Sequence, residues 1–157
     1  MKSQPQDPLA AISIASFFML TKDKVEVYIH FIWVTWDRLP LISPELEPGL
    51  YRVMGEIASR HKTRVLAIGG VADHVHLLLK LRSINSVAEL AKDIKGASSR
   101  FANDFLPLHN FKWRPTYAAF SVSRWDVAKL IAYIQNQKRH HAENTIKPEL
   151  EPDDEQR

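Results

Sequence analysis

The sequence predicts an α+β fold in which a ferredoxin-like βαββαβ antiparallel sheet carries an appended C-terminal helix. Three observations lead to this prediction: a long run of β-branched and aromatic residues, two amphipathic helical segments placed between strand-like segments, and the absence of any internal repeat. Because this fold hosts many unrelated activities, function has to be argued from particular side chains.

The first strand is predicted over residues 25–36, VEVYIHFIWVTW, where both alternating sets of side chains contain apolar residues. That pattern is typical of a central strand covered on both faces. Ser43-Pro44 then predicts a helix start, because the missing N–H of proline costs nothing in a first turn. This helix runs to about His61, and one face of it is apolar: Leu46, Leu50, Val53, Met54 and Ile57.

An antiparallel pair of strands is predicted next, over residues 64–68 and 74–81, with Gly69-Gly70 as a turn or bulge between them. A capping box from Ser86 to Glu89 opens the second helix, which ends at Pro107. The apolar residues of this helix keep helical spacing: Val87, Leu90, Ile94, Ala97, Phe101 and Phe105.

One more strand and one more helix complete the order. Residues 117–122 supply a short strand, and Ser123 precedes a third helix that runs from Arg124 to about His141. The buried stripe predicted for this helix consists of Val127, Leu130, Ile131 and Ile134.

Composition excludes several classes of protein. The chain has 157 residues, of which 45% are hydrophobic and 25% charged, the balance of one globular domain with a buried core. It contains no cysteine, which excludes a disulfide scaffold, a thiolate metal site and a cysteine nucleophile. Its longest apolar stretch, residues 9–20, is well short of the roughly 20 residues that span a bilayer, so no membrane partner is expected.

Charge is unevenly distributed along the chain. The formal net charge is +3, but the last nine residues hold five acidic side chains and one arginine, so the rest of the chain is more basic than that total. A basic body suits a polyanion such as nucleic acid. We expect residues 1–24 to be an N-terminal extension that is either disordered or a start-site artefact preceding Met19, and residues 142–157 to be a disordered acidic tail.

The triplet His74-Val75-His76 lies in the third predicted strand. Side chains two apart on a strand point to the same face, so the two imidazoles can meet around one ion. The alternative interpretation is a pair of ordinary half-exposed strand histidines. His30 on the first strand is placed to face the same cleft, where we expect it to pack or to support a ligand.

Tyr133 and Gln137 lie four residues apart in the third predicted helix. They therefore stack on one side of it, at the flank of the apolar stripe, where a tyrosine can bury its ring and present its hydroxyl to a cleft. The alternative is an amphipathic tyrosine at the edge of a core.

Four motifs follow one another along the chain: DHVHLLL at residues 73–79, KGASS at 95–99, WRPTYAAFSVS at 113–123 and YIQNQ at 133–137. Together they resemble the single-tyrosine HUH transposases of bacterial and archaeal insertion sequences and their REP-associated relatives. The resemblance covers about residues 25–141, which would then form a single-tyrosine transposase domain.

The resemblance implies a nuclease-ligase that cleaves and rejoins single-stranded DNA with hairpin ends. Tyr133 would be the nucleophile that forms a 5′-phosphotyrosine link, and His74, His76 and Gln137 would be the ligands of Mg²⁺ or Mn²⁺. It also implies a homodimer in which the tyrosine helix of one subunit completes the His-His site of the other. The expected setting is the cytoplasm of a prokaryote, in association with the nucleoid.

Basic and hydroxyl side chains near the second helix are candidate contacts to DNA phosphates, and a solvated helix face is the alternative. The candidates are Lys95, Ser98, Ser99, Arg100, Lys112 and Arg114.

Three other functions remain open. The first is a non-catalytic or domesticated relative that binds single-stranded DNA hairpins, which predicts metal-independent binding without scission. An RNA-binding ferredoxin-like module is less favoured because no aromatic RNP-like strand motif is evident. A structural or metal-storage protein would make the motif around Tyr133 a coincidence.

Overall fold

A computed structural model describes residues 23–152 of the chain. Residues 1–22 of the predicted N-terminal extension and residues 153–157 of the tail lie outside the described part. Within it, strands and helices follow the predicted order. They are β1 (Val27–Val34), α1 (Glu47–Arg60), β2 (Arg64–Val71), β3 (His74–Leu81), α2 (Val87–Phe105), β4 (Ala118–Val122), α3 (Val127–Gln135) and α4 (Gln137–Ala142), with 3-10 turns at Trp36–Arg38 and Pro148–Leu150.

The strands form one antiparallel sheet in the order β2-β3-β1-β4. This is the strand arrangement of the ferredoxin-like fold, so the predicted fold class is confirmed. The central strands β1 and β3 pair along their whole length, from Val27 opposite Leu81 to Val34 opposite His74. The register places Ile32 beside His76 and His30 beside Leu78, on the same face of the sheet.

The sheet separates two apolar clusters. Alternate residues of β3, among them Val75 and Leu77, pack with α1 and α2 in the larger cluster. The other set faces the opposite side, where Leu78 packs with Leu130 and Ile134 of α3 in the smaller cluster. The period of two along β3 therefore sends Val75 and Leu77 to one layer, and His74, His76 and Leu78 to the other.

Helix α2 begins at its predicted capping box, whereas α1 begins at Glu47 and α3 at Val127, each later than the predicted starts at Ser43-Pro44 and Arg124. The Ser86 hydroxyl accepts a hydrogen bond from the N–H of Glu89 at 3.3 Å and caps α2. At α1 the Ser43 hydroxyl accepts a bond from the N–H of Leu46 at 3.2 Å, and the regular helix begins only at Glu47 after a turn.

The sequence predicts a turn or bulge at Gly69-Gly70, between two strands. In the structure both glycines lie inside β2 and form no turn. The chain reverses instead at the two-residue turn Ala72-Asp73. The glycines are needed for close approach: a Cβ on Gly69 would lie 2.3 Å from the Ile134 carbonyl oxygen. A side chain at Gly69 would therefore push α3 away from the sheet.

The third helix is interrupted, although the sequence predicts one helix from Arg124 to His141. It breaks at Asn136, whose φ of −106° and ψ of 19° separate α3 from α4. The Asn136 side-chain amide donates to the carbonyl of Ala132 at 2.7 Å. Asparagine side chains compete with the helical backbone for such carbonyls, which accounts for a break that apolar spacing cannot reveal.

The described part of the C-terminal tail takes a defined path, whereas the sequence predicts disorder there. It makes a 3-10 turn at Pro148–Leu150, and Arg38 donates a hydrogen bond to the Pro152 carbonyl at 3.1 Å. Leu150 packs against the smaller cluster. An acidic, proline-containing composition indicates that a segment builds no core of its own. It does not reveal whether the segment packs onto the surface of another part of the chain.

In the part of the chain that the structure describes, we find no helix with the length and apolar character needed to cross a membrane.

Candidate active site

Strand β3 places His74 and His76 on one face, as predicted, but both side chains are buried and not half-exposed. The exposed fraction is 1% for His74 and 0% for His76. Tyr133 of α3, Gln137 of α4 and Glu151 of the C-terminal segment cover them. Both imidazoles therefore lie in a closed polar cluster above the sheet.

The Nδ1 atom of each of these two imidazoles is within hydrogen-bond distance of another side chain. The Asp73 carboxylate lies 2.7 Å from the Nδ1 of His74. The Nδ1 of His76 lies 2.9 Å from the Nε2 of His30, so His30 supports the site as the sequence predicts. With Nδ1 engaged in both rings, Nε2 is the atom that each histidine presents to the cluster.

The Glu151 carboxylate lies at the centre of the cluster. One oxygen is 3.1 Å from the Nε2 of His74 and 3.7 Å from the Nε2 of His76. The other oxygen accepts hydrogen bonds from the Tyr133 hydroxyl and, at 3.0 Å, from the Gln137 amide. Sequence reasoning missed Glu151, because it reaches the site through irregular chain and no periodic spacing marks it.

Tyr133 is brought beside its own chain's histidines. Its side chain is 3% exposed, and its ring lies perpendicular to that of His76 with the centroids 6.4 Å apart. The hydroxyl also accepts the N–H of Lys147 at 3.1 Å, and the ring stacks on His140. The predicted side-by-side placement of Tyr133 and Gln137 survives the helix break, since both contact Glu151.

The pKa values of the three histidines diverge. Burial disfavours the charged form of His74, but its bonds to Asp73 and Glu151 outweigh burial and raise its pKa to about 8. Burial lowers the pKa of His76, and burial together with the neighbouring His76 lowers the pKa of His30 to about 3. His30 and His76 are therefore held neutral at pH 7.

The pKa values of Glu151 and Tyr133 are shifted in opposite directions. Burial opposes ionisation of Glu151, yet its contacts with His74, His76, Tyr133 and Gln137 hold its pKa well below the usual range. Burial, with the bond to Glu151, raises the pKa of Tyr133 to about 12. The cluster at rest thus contains a carboxylate and a protonated phenol.

The donor set fits a divalent cation. Ligand atoms of His74, His76 and Glu151 all lie within 4.8 Å of one another. Among the described residues, the buried Nε2 of His76 has no hydrogen-bond partner, so this atom is available to coordinate an ion. Gln137, the third ligand predicted from the resemblance, has its Oε1 3.3 Å from the Nε2 of His74. Nitrogen and oxygen donors of this kind suit Mg²⁺, Mn²⁺ or Zn²⁺.

The candidate DNA contacts on α2 are not gathered at this cluster, because α2 packs on the opposite layer of the sheet. Ser98 is fully buried, and its hydroxyl donates to the Lys95 carbonyl and accepts the indole N–H of Trp113 at 3.0 Å. The Lys95 ammonium donates to the Pro115 carbonyl at 2.7 Å. Ser99 and Arg100 are more accessible. Ser98 therefore acts within the fold and presents nothing to a ligand here.

Lys112 and Arg114 lie nearer to the histidine end of the sheet. The backbone of both residues bonds to the end of β1, where Arg114 donates to Val34 at 2.8 Å and Lys112 accepts from Trp36 at 2.8 Å. The Lys112 ammonium lies 3.7 Å from the centroid of the half-exposed Trp36 ring. Val34 pairs with His74 across the sheet, so this segment adjoins the same end of the sheet as the cluster.

A ferredoxin-like sheet with two histidines side by side and a tyrosine on the helix above them is the arrangement expected from the resemblance to transposases. The family model described as IS200-like transposase matches residues 23–137, and the chain belongs to that family. It is 30% identical over 114 residues to the ISDra2 transposase TnpA of Deinococcus radiodurans, an alignment that covers 69% of this chain and 81% of the relative.

Solved structures agree with that membership. A transposase from Deinococcus radiodurans R1 superposes with a TM-score of 0.59 at 28% identity, over 73% of this chain and 93% of the other. The REP-associated tyrosine transposase bound to a REP hairpin superposes with a TM-score of 0.57 at 13% identity, over 79% of this chain and 72% of the other. The second likeness is one of fold.

Proposed function

We propose that the chain cleaves and rejoins single-stranded DNA through a covalent 5′-phosphotyrosine link on Tyr133. The observation that carries the proposal is the convergence of the Tyr133 hydroxyl with the presented Nε2 atoms of His74 and His76 in one buried cluster. Membership in the IS200-like transposase family supports it, because such a family implies cleavage and transfer of DNA strands.

In the proposed cleavage, the Tyr133 oxygen attacks phosphorus as the bond from phosphorus to the 3′-oxygen breaks. The phenol proton ends on the departing 3′-hydroxyl, so atoms and charges balance without a nucleotide cofactor. With a pKa of about 12, Tyr133 is protonated at rest, and its proton points at the Glu151 carboxylate. Attack therefore requires that proton to leave as the new bond forms.

His74, His76 and Gln137 would hold Mg²⁺ or Mn²⁺, as the resemblance implies. Such an ion, when bound, polarises a phosphate oxygen and offsets charge that develops at phosphorus. The chain itself orients the two imidazoles: Asp73 fixes His74, and His30 fixes His76. Gln137 connects the histidine pair to α4, the helix that follows the one that carries Tyr133.

For the DNA partner, we propose single-stranded DNA with hairpin ends. The solved relative of similar fold is bound to a REP hairpin. Lys95, Ser99, Arg100, Lys112 and Arg114 remain proposed phosphate contacts, and Lys112 is best placed because it adjoins the histidine end of the sheet.

The nucleophile is tested by covalent capture. We expect the protein, incubated with single-stranded DNA from the flanks of its own gene and with Mg²⁺ or Mn²⁺, to give an SDS-resistant adduct that Tyr133→Phe abolishes. An adduct retained by a folded Tyr133→Phe protein would refute the assignment. Absence of any adduct with bound DNA and folded wild-type protein would favour the non-catalytic hairpin binder.

A homodimer that exchanges tyrosine helices is a separate proposal, because Tyr133 here lies beside its own chain's His76. We expect a His74→Ala/His76→Ala subunit mixed with a Tyr133→Phe subunit to regain adduct formation through one composite site. The readout is the adduct of the subunit that retains Tyr133. No recovery from fully exchanged subunits would instead mean that each site is assembled within one chain.

A further inference from the structure

Residues 143–152, the C-terminal segment, bring a carboxylate into the histidine cluster that neither the motifs nor the strand pattern marks. We propose that Glu151 is a direct ligand of the divalent cation at the His74–His76 site. The ion would then hold the C-terminal segment against the site through the Glu151 carboxylate. This inference rests on the proposed function only in taking the site to bind a divalent cation.

The spacing of the donor atoms suits coordination. Ligands held about 2.1 Å from one octahedral ion lie about 3 Å from their neighbours. The Glu151 oxygen lies 3.1 Å from the Nε2 of His74 and 3.7 Å from the Nε2 of His76. All three ligand atoms lie within 4.8 Å of one another, so the side chains would need only to draw together around an ion to form a coordination set.

His76 supplies an independent observation. Its Nε2 is buried, faces the cluster and has no hydrogen-bond partner within the described residues. A buried polar atom without a partner is rare and carries a free-energy cost. A cation held between this nitrogen and the Glu151 carboxylate removes that cost.

Gln137 contacts the carboxylate as well as the histidine. Its amide nitrogen donates to one Glu151 oxygen at 3.0 Å, while its Oε1 lies 3.3 Å from the Nε2 of His74. The amide thus orients Glu151 toward the imidazoles, as groups around metal ligands commonly do. A charged carboxylate is also a stronger ligand for a hard cation than a neutral amide oxygen.

The charge of Glu151 points the same way. Its side chain is 9% exposed, and its partners in the described part of the chain are three imidazoles, a phenol and an amide. A buried carboxylate in such surroundings is stabilised by a cation.

The experiment measures Mn²⁺ binding to the metal-stripped full chain without DNA, from the electron paramagnetic resonance signal of free Mn²⁺. Glu151→Gln keeps the shape of the side chain and removes its charge. Glu149→Gln is the matched control, because it makes the same charge change two residues away at an exposed position. We expect Glu151→Gln to weaken Mn²⁺ binding at least tenfold and Glu149→Gln to change it less than twofold.

A second measurement needs no variant. If Glu151 is a ligand, Mn²⁺ slows amide hydrogen exchange in residues 143–152 of the wild-type chain. If the carboxylate instead competes with the ion for the histidines, Mn²⁺ speeds exchange there and Glu151→Gln binds Mn²⁺ as tightly as the wild type or more tightly. Either of these results overturns the inference, as does the absence of Mn²⁺ binding by the wild-type chain.

Failure of the inference is distinguishable from failure of the proposed function. Mn²⁺ binding that depends on Glu151, in a protein that forms no tyrosine adduct, would leave the ligand assignment standing and refute the phosphotyrosine chemistry. A tyrosine adduct, together with Mn²⁺ binding that Glu151→Gln does not weaken, would support the phosphotyrosine chemistry and refute the ligand assignment.

Discussion

Ser98 shows how one side chain in a motif can belong to the fold and not to the ligand surface. Its hydroxyl is buried and accepts the indole N–H of Trp113, itself 3% exposed in the larger apolar cluster. The indole is a donor only, so Trp113 depends on this acceptor. Ser99, the next residue, is half-buried at the surface groove beside α2.

We therefore expect Ser98→Ala to lower the free energy of unfolding by about 1–3 kcal/mol, because it leaves the Trp113 N–H buried without an acceptor. Ser99→Ala is the matched control and should stay within about 0.5 kcal/mol of the wild type. Urea unfolding measures both. If Ser98→Ala were as stable as Ser99→Ala, the hydroxyl would have no structural role.

At this scale the sequence predicts some site residues and misses others for a physical reason. His74 and His76 are predictable because the period of two on a strand fixes which side chains share a face. Their burial is not predictable, because it depends on groups from three distant segments. Glu151 is the extreme case: an acidic residue in a proline-containing tail carries no pattern until the chain folds back.

Gly69 determines how closely α3 approaches the sheet. It pairs with His76 across β2 and β3, and the Ile134 carbonyl lies over it. The missing side chain lets α3 lie directly on the strand that neighbours the histidines. The position of Tyr133, one residue before Ile134, follows from that contact.

Gly69→Ala should destabilise the protein by about 1–3 kcal/mol, as overpacking does, and displace α3. Gly55→Ala is the control, because no described residue outside its own helix turn lies within 4 Å of the added Cβ and alanine favours a helix by about 0.5–1 kcal/mol. Thermal unfolding measures stability, and the adduct assay measures the placement of Tyr133. A Gly69→Ala protein of normal stability and normal adduct yield would mean that α3 shifts without consequence.

Elements were predictable where one local signal decides them. The period of two sets β3, and the Ser86 cap sets the start of α2. The break at Asn136 was not predictable, because apolar spacing continues through it and the choice depends on one side-chain hydrogen bond. The Gly69-Gly70 pair was wrong as a turn signal, because Gly69 allows the close approach of the Ile134 carbonyl, a contact that local sequence does not show.

The molecule as a whole has two unequal apolar layers on either side of one sheet. Leu77 and Leu78 are adjacent and equally buried, yet Leu77 faces the layer of α1 and α2, and Leu78 faces the layer of α3. The larger layer contains most of the buried apolar side chains of the described residues. The site thus lies on the layer with the smaller core.

Leu78→Ala and Leu77→Ala should each cost about 2–5 kcal/mol, because each leaves a cavity in a packed core. Their local effects should differ. We expect Leu78→Ala to speed amide exchange mainly in α3, and Leu77→Ala to speed it mainly in α1 and α2. Hydrogen exchange read by mass spectrometry tests this, and identical exchange maps for the two variants would show that the layers unfold as one unit.

The two-residue turn at Ala72-Asp73 has a consequence for the fidelity of folding. It fixes the pairing of β2 with β3, and Asp73 at its tip also holds His74. A slip of one residue in that pairing would turn every side chain of β3 over and present Val75 and Leu77 where the imidazoles belong. A copy misfolded in this way would lose both histidines from the site at once, so we expect it to have no DNA cleavage activity rather than a reduced one.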